Sequence, residues 1–490
     1  MRTLVCCGLG CVSIAAYGQA PIQLDTSFRT LINTWYVSSV LPLSDGDIII
    51  SGQLKFPGDL TFRSGAKLHS DGSLDSFFPV AAFMSGKLTA WNGNIYQGNG
   101  QIVRRSWPDG SLDPDFIMMN NGPYFSSLQG GDYHVYPDGR VLMSGVHQLS
   151  DTVRGFEGLY SLIWFSNTGY LDTTRTHRYC DGSISWFTEL PDGKYLCSGI
   201  LSTYESQPVD HVFRVLPNGA LDTTFHSGIS WGYATALRPL PDGRVYVGGA
   251  FGITGDPDTL NLVRMMPDGS LDPSFNNHID MAITEMTNFS SAIVRSVHQL
   301  DAAHIVVMGQ FEAVEGEVLR NICLLDTTGQ LSYDHFTGPG CGNFTYQGQT
   351  ASSIAGIVPA PDGSYYVYGA YHGYGDASGT DTTQRMISRL YGLDVGIPQE
   401  PGLGLRFKIK PNPSDGRFTA DLDLSEQTHV EGDLLLQVFD AQGRLVERRN
   451  LGRQLEQTIA LDLTTQPTGL YSAHLSDTKR ILTGVRLVVE

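Results

Sequence analysis

The sequence predicts an all-β chain, a seven-bladed β-propeller followed by a small Ig-like β-sandwich, and three observations carry that prediction. One phrase recurs at fixed spacing, a second recurs half a period out of step, and both stop near residue 397, where a different strand-and-turn pattern begins. The first phrase reads Leu24-Asp25-Thr-Ser-Phe28, Asp71-Gly-Ser-Leu-Asp75-Ser-Phe77, Pro108-Asp-Gly-Ser-Leu-Asp113-Pro-Asp-Phe116, Pro217-Asn-Gly-Ala-Leu-Asp222-Thr-Thr-Phe225 and Pro267-Asp-Gly-Ser-Leu-Asp272-Pro-Ser-Phe275. Asp25 to Asp75, Asp172 to Asp222 and Asp222 to Asp272 are each 50 residues apart, so one supersecondary unit has been copied.

The second phrase includes Pro137-Asp-Gly139, Pro191-Asp-Gly193, Pro241-Asp-Gly243-Arg-Val-Tyr-Val-Gly-Gly249 and Pro361-Asp-Gly363. Proline pre-sets φ, aspartate bonds its own backbone and glycine supplies the positive φ that lets a type I turn close a hairpin. The alternating β-branched and aromatic residues that follow are strand formers. Two turns per period make four short strands, one propeller blade. With degenerate copies at Gly46, Gly93 and Ala303 the second phrase occurs seven times, which gives seven blades. The first phrase occurs eight times once its degenerate copies at Asp172, Ser332 and Asp394 are admitted. Its leftover copy, Leu24 to Phe28, either completes the last blade and closes the ring or caps the first one.

These paired phrases, over about residues 24 to 396, resemble the delta-60 repeat family of bacterial secreted proteins. The resemblance implies propeller blades and says little about activity.

Net charge is −18. Residues 397 to 490 hold 11 Lys+Arg against 13 Asp+Glu, a net of −2, which leaves −16 on residues 1 to 396. Such a surface repels phosphate backbones and anionic lipids, which excludes nucleic acid as the expected partner. Ca²⁺ is compatible with the charge, but there is no Asp-x-Asp-x-Asp-Gly ligand loop, so no cofactor or metal site is assigned.

Residues 1 to 18 read as a signal peptide. Arg2 is its positive start, Leu4 to Ala16 its apolar stretch and Ala16-Tyr17-Gly18 its cleavage site; Cys11 opens a lipoprotein alternative, against which Gly8 stands where leucine is wanted. No later segment is long and apolar enough to span a bilayer as a helix. The mature chain keeps Cys180, Cys197, Cys323 and Cys341. Export permits disulfides, and sequential pairing, 180 with 197 and 323 with 341, stands beside four buried free thiols as the two readings.

The propeller is expected over residues 22 to 396, a Pro/Gly linker over 397 to 404 and the sandwich over 405 to 490. In that tail Pro411-Asn412-Pro413, the Asp440-Ala-Gln-Gly443-Arg-Leu-Val hairpin, Gly469-Leu-Tyr471 and a terminal strand with Arg486 occur in order. It resembles the type A C-terminal sorting domain of the type IX (Por) secretion system of Bacteroidota. That resemblance implies delivery to the cell surface or medium, with the translocon and its sorting protease as partners.

No nucleophile elbow, metalloprotease motif or phosphate loop is present. The candidate ligand site comes instead from positions where the copies differ. Trp35-Tyr36, Tyr124-Phe125, Trp186-Phe187 and Trp231-Gly-Tyr233 lie just before the innermost strands, where the leading loops open on one mouth of a propeller channel. Aromatic faces stack on sugars, so Trp35, Tyr36, Tyr124, Phe125, Trp186, Trp231 and Tyr233 are expected to bind an extracellular glycan or protein, with Phe187 expected in the core. The competing reading of the rings is packing between blades. A secreted hydrolase or lyase at the channel is the alternative function, and paired carboxylates at the mouth would favour it. Asp-Thr-Thr at 172, 222, 326 and 381 also resembles an O-glycosylation acceptor.

Overall fold

A computed structural model describes residues 22 to 392 and 406 to 489, apart from 44, 80–84, 118–123, 302, 334–337, 347, 377, 412–413, 424–432, 441–444, 455 and 477–480. The signal segment, the linker, Asn412, Pro413 and Gly443 therefore lie outside the described residues. The described residues contain strands and turns and no helix.

Among the described residues seven antiparallel meanders follow one another. Their first strands are Thr34–Pro42, Lys87–Trp91, Phe125–Val135, Ser183–Glu189, Ile229–Pro239, Ile293–Gln299 and Ser353–Pro359, here blades 1 to 7. First strands of neighbouring blades pack on one another, those of blades 2 and 3 meeting through Lys87–Asp132 and Thr89–Tyr133, and the first strand of blade 7 packs on that of blade 1, so these strands form the inner wall of a closed ring. The turns take the expected form: Gly243, at φ +86°, donates its N–H to Leu240 at 3.0 Å, while the Leu240 N–H reaches Arg244 at 2.8 Å.

The expected fourth strand is shorter than predicted. In blades 1 to 6 it is a single bridge from the end of the third strand to the leucine of the first phrase, as between Val215 and Leu221 and between Met265 and Leu271. Pairing ends there because the next residue, the aspartate, turns the chain; the Asp222 carboxylate accepts the Thr224 N–H at 3.1 Å. In blade 7 the partner comes from the other end of the protein. Gln23–Leu24 pairs antiparallel with Tyr391 and Leu390, which resolves the leftover copy as the strand that closes the ring.

A β-bulge recurs on the inner strand at one register, between Val37 and Ser39, Ile184 and Trp186, Ala234 and Ala236, Val294 and Ser296, and Ile354 and Gly356. It explains the last glycine of the second phrase. A Cβ on Gly52, Gly199, Gly249, Gly309 or Gly369 would lie 1.9–2.2 Å from an inner-strand carbonyl oxygen. The phrase keeps glycine there because the bulge pushes backbone into the space of a side chain.

Cys180, Cys197, Cys323 and Cys341 are buried free thiols. Cys323 and Cys341 cannot pair as read from sequence: alternation along Ile322–Asp326 sends Cys323 into the core between blades 5 and 6, while Cys341 belongs to the core between blades 6 and 7. Cys180 and Cys197 share one core, where the Cys180 thiol lies 3.0 Å from the Ser161 hydroxyl.

The tail folds as two facing sheets. Arg406–Lys410, Arg417–Asp423 and Glu456–Asp462 form one, and Leu434–Asp440, Leu445–Gly452, Gly469–Ser476 and Ile481–Val489 the other, around a core drawn only from residues 407 to 489. Tyr471 is buried in it and donates its hydroxyl to the Pro467 carbonyl at 2.5 Å. Gly469 opens that strand, Arg486 pairs with Ser472 at the terminal strand, and Pro411 follows a cis peptide bond.

Candidate functional site at the inner strands

In blades 2, 4, 5 and 7 the outer side uses its charged residues differently from the inner one. On the outer side, the first-phrase aspartate accepts from an arginine of the third strand: Arg105 Nε to Asp113 at 2.6 Å, Arg214 to Asp222 at 2.8 Å, Arg264 to Asp272 at 2.7 Å and Arg389 to Asp25 at 2.6 Å. Each guanidinium also covers the phrase phenylalanine, with centroid distances of 5.0 Å to Phe116, 4.9 Å to Phe225, 5.0 Å to Phe275 and 5.4 Å to Phe28. Arg105 and Arg214 then donate to Asn167 and Pro267 carbonyls of the following blade, at 2.7 and 2.5 Å. Burial alone would raise the carboxyl pKa of Asp222, but hydrogen bonds from Thr224, Arg214 and Lys194 outweigh it and hold the group well below the usual range. This is structural chemistry. Blade 1 shows where its phenylalanine sits: Phe78 is buried whereas Phe77 is 95% exposed, so the wedge is one residue later than the phrase reading placed it.

The Asp-Thr-Thr sequences belong to the same system. The hydroxyls of Thr174, Thr224, Thr328 and Thr383 donate to Asp172, Asp222, Asp326 and Asp381, at 2.6, 2.6, 2.7 and 2.6 Å.

The predicted aromatics lie within the inner strands and not in the loops before them, Tyr124 excepted, and there they divide. Trp35 is half-buried and meets Phe344 edge-on at 6.4 Å, and Phe125 stacks on His147 at 5.5 Å; both are packed into blade cores. Phe187 is buried, as expected. Tyr36, Tyr124 and Trp231 are exposed. Trp186 of blade 4 and Tyr233 of blade 5 come together across the blade boundary, stacked at 5.8 Å with 14° between planes. Trp231 lies two residues from Tyr233 on the same strand, with its indole over Gly252, where a Cβ would meet Nε1 at 1.9 Å.

Sequence reasoning missed the charged residues on this wall. The seven inner strands carry Lys87, Arg238 and Arg295 against Asp132 and Glu189, together with His134 and His298. Lys87 pairs with Asp132 at 3.2 Å, and His134 Nε2 lies 3.2 Å from Glu189. Arg295 is the bulge residue of blade 6 and donates to Gln310 at 3.2 Å. Desolvation lowers the pKa of Arg238 and Arg295 and raises that of Glu189. Burial, then the charge of Lys87, brings His134 down to about 4; burial, then Arg238, does the same to His298. The available signal was positional: Arg238 and His298 occupy the place held by Leu41 and Val358 in other copies.

Among the described residues one group could hold a metal ion, Asp256, Asp258 and His278, whose donor atoms lie within 4.8 Å of one another on the surface of blade 5. His278 Nε2 is 2.9 Å from Asp256.

Residues 190–225 and 240–275, each running from a second-phrase turn to a first-phrase phenylalanine, match the family described as "Domain of unknown function (DUF5122) beta-propeller". Residues 408–490 match the "Secretion system C-terminal sorting domain". The chain is a β-propeller protein with a C-terminal secretion sorting domain. That tail indicates export by type IX secretion to the cell surface or extracellular space. No curated protein matches the chain. A crystal structure of a protein of unknown function from Bacteroides caccae is similar at 13% identity over 59% of this chain and 92% of that one, with a TM-score of 0.33. No helix of the described residues is long and apolar enough to cross a membrane.

Proposed function

We propose that the exported propeller is a non-enzymatic binding module whose ligand is a glycan, held at the mouth of the channel by Trp186, Tyr233 and Trp231. The stacked Trp186–Tyr233 pair carries this reading, because it joins two blades at the inner wall beside the exposed Trp231 indole. Flat rings with polar edges suit the C–H faces and hydroxyls of sugars. The competing hydrolase or lyase draws little support: the described inner strands carry two carboxylates, and Asp132 is engaged by Lys87. A signal peptide over residues 1 to 18, an origin in Bacteroidota and handling by the sorting protease complete the proposal.

Glycan-array binding of the full chain, compared with Trp186→Ala, Trp231→Ala and Trp35→Ala, tests it. Loss in the first two with retention in the third is expected, since Trp35 packs against Phe344. Equal binding by all four proteins would remove the site. Deleting residues 408 to 490 should leave the protein in the periplasm, and unchanged export would refute sorting through that domain.

A further inference from the structure

The inner wall has a charge opposite to that of its surroundings. The propeller portion of the sequence is strongly acidic, yet the inner strands hold three full cations against two carboxylates. Lys87 is neutralised by Asp132. Glu189 faces His134. Arg238 and Arg295 then remain with no carboxylate among the described residues within ion-pair distance. The contrast with Arg105, Arg214, Arg264 and Arg389, each matched to an aspartate, is sharp. Arg295 is half-buried and Arg238 exposed; a guanidinium partly withdrawn from water without a counter-charge costs stability. Such a cost is sustained where an anion will supply the missing charge.

The two arginines sit on the first strands of adjacent blades 5 and 6. Arg238 is level with His298, three positions beyond Arg295, so at the strand rise the charged layers are about 10 Å apart along the wall. Tyr233, the ring that stacks on Trp186, lies close to Arg295. Aromatic stacking and unpaired guanidinium groups therefore share one wall.

We infer that this wall binds an anionic oligosaccharide, one bearing carboxylate or sulfate groups, with Arg295 and Arg238 recognising the charges and the Trp186–Tyr233 stack the sugar face. This rests on the glycan-binding reading above and names its ligand class. The acidic outer surface would keep a polyanion from other parts of the propeller, which makes the wall selective.

The test is calorimetric titration of the full chain with polygalacturonate, dextran sulfate and neutral dextran. At low salt the charged polymers should bind at least about tenfold more tightly than dextran, and the advantage should shrink as salt screens the charges. A preference for polygalacturonate over dextran sulfate assigns the carboxylate, the reverse the sulfate. Arg238→Gln and Arg295→Gln should each weaken the charged ligand by about tenfold while leaving dextran binding unchanged. The melting temperature of Arg238→Gln should equal or exceed that of the wild type, which a merely structural arginine would not allow; Arg295 also donates to Gln310 and is read by binding alone. Equal affinity for dextran and both polyanions, or polyanion binding that survives in both variants, overturns the anionic assignment while glycan binding stands. Absence of binding by all three polymers removes the glycan reading itself.

Discussion

The outer edge and the inner wall of the same blades place arginine in opposite circumstances. At the outer edge Arg264 is buried, donates to Asp272 at 2.7 Å and covers Phe275 at 5.0 Å. At the inner wall of the same blade Arg238 is exposed and has no such partner among the described residues. The first arrangement repeats in blades 2, 4, 5 and 7 because it joins a blade's last strand to the next blade. The second varies from blade to blade, and variation is what a ligand requires.

Breaking the ring at its closure should have the largest effect. Asp25→Ala leaves Arg389 without its carboxylate at the one joint made from both chain ends, and should cost about 3–5 kcal/mol, read as the shift in urea midpoint. Arg264→Gln removes an internal copy of the same joint and strands Asp272, though Arg244 still donates to that carboxylate at 2.9 Å; about 2–3 kcal/mol is expected. Gly249→Ala probes the inner side. Its Cβ would meet the Tyr233 carbonyl at 2.2 Å, and the strain should cost about 1–3 kcal/mol while moving the Trp186–Tyr233 pair, visible as changed tryptophan fluorescence.

Acid separates the two regions by pH. His134 and His298 ionise at about 4 in the folded protein against about 6.5 in an open chain, because burial favours the neutral ring. The unfolded state then binds more protons between those values, so this stability is complete above about pH 6.5 and is lost as pH falls through about 4. Asp25 and Asp222 are held below their ordinary pKa, despite burial, by hydrogen bonds and arginine. Their contribution persists until the pH drops below about 4. Melting temperature should therefore fall in two stages, and His298→Phe should flatten the first. The smallest effect is expected at Arg238→Gln, within about 0.5 kcal/mol of wild type or slightly stabilising in a denaturant titration, and a large loss there would erase the contrast.

Much of the shell was legible in the sequence because its causes are local. Pro-Asp-Gly turns, alternating strands and a constant 50-residue spacing act within a few residues of themselves, so they announce hairpins and their number. The sorting tail was legible for the same reason, as an ordered series of turns and strands later matched over residues 408–490. The wedge residue of blade 1 was legible after all: the phenylalanine stands three residues after the aspartate in the other copies, as Phe28, Phe116, Phe225 and Phe275 do, and that spacing from Asp75 falls on the buried Phe78 and not on Phe77. The cysteine pairing failed between Cys323 and Cys341 because separation in sequence says nothing about which face of a sheet a thiol takes.

By itself, then, the sequence determined the repeat, the turn chemistry, the acidic balance and the tail, all of which follow from residue type and short spacing. Tertiary structure alone decided that Gln23–Leu24 closes blade 7, that one aromatic pair of those predicted joins two blades, and that Arg238 and Arg295 share a wall. Those are meetings of residues far apart along the chain. They arise from closing a ring, which no local pattern encodes.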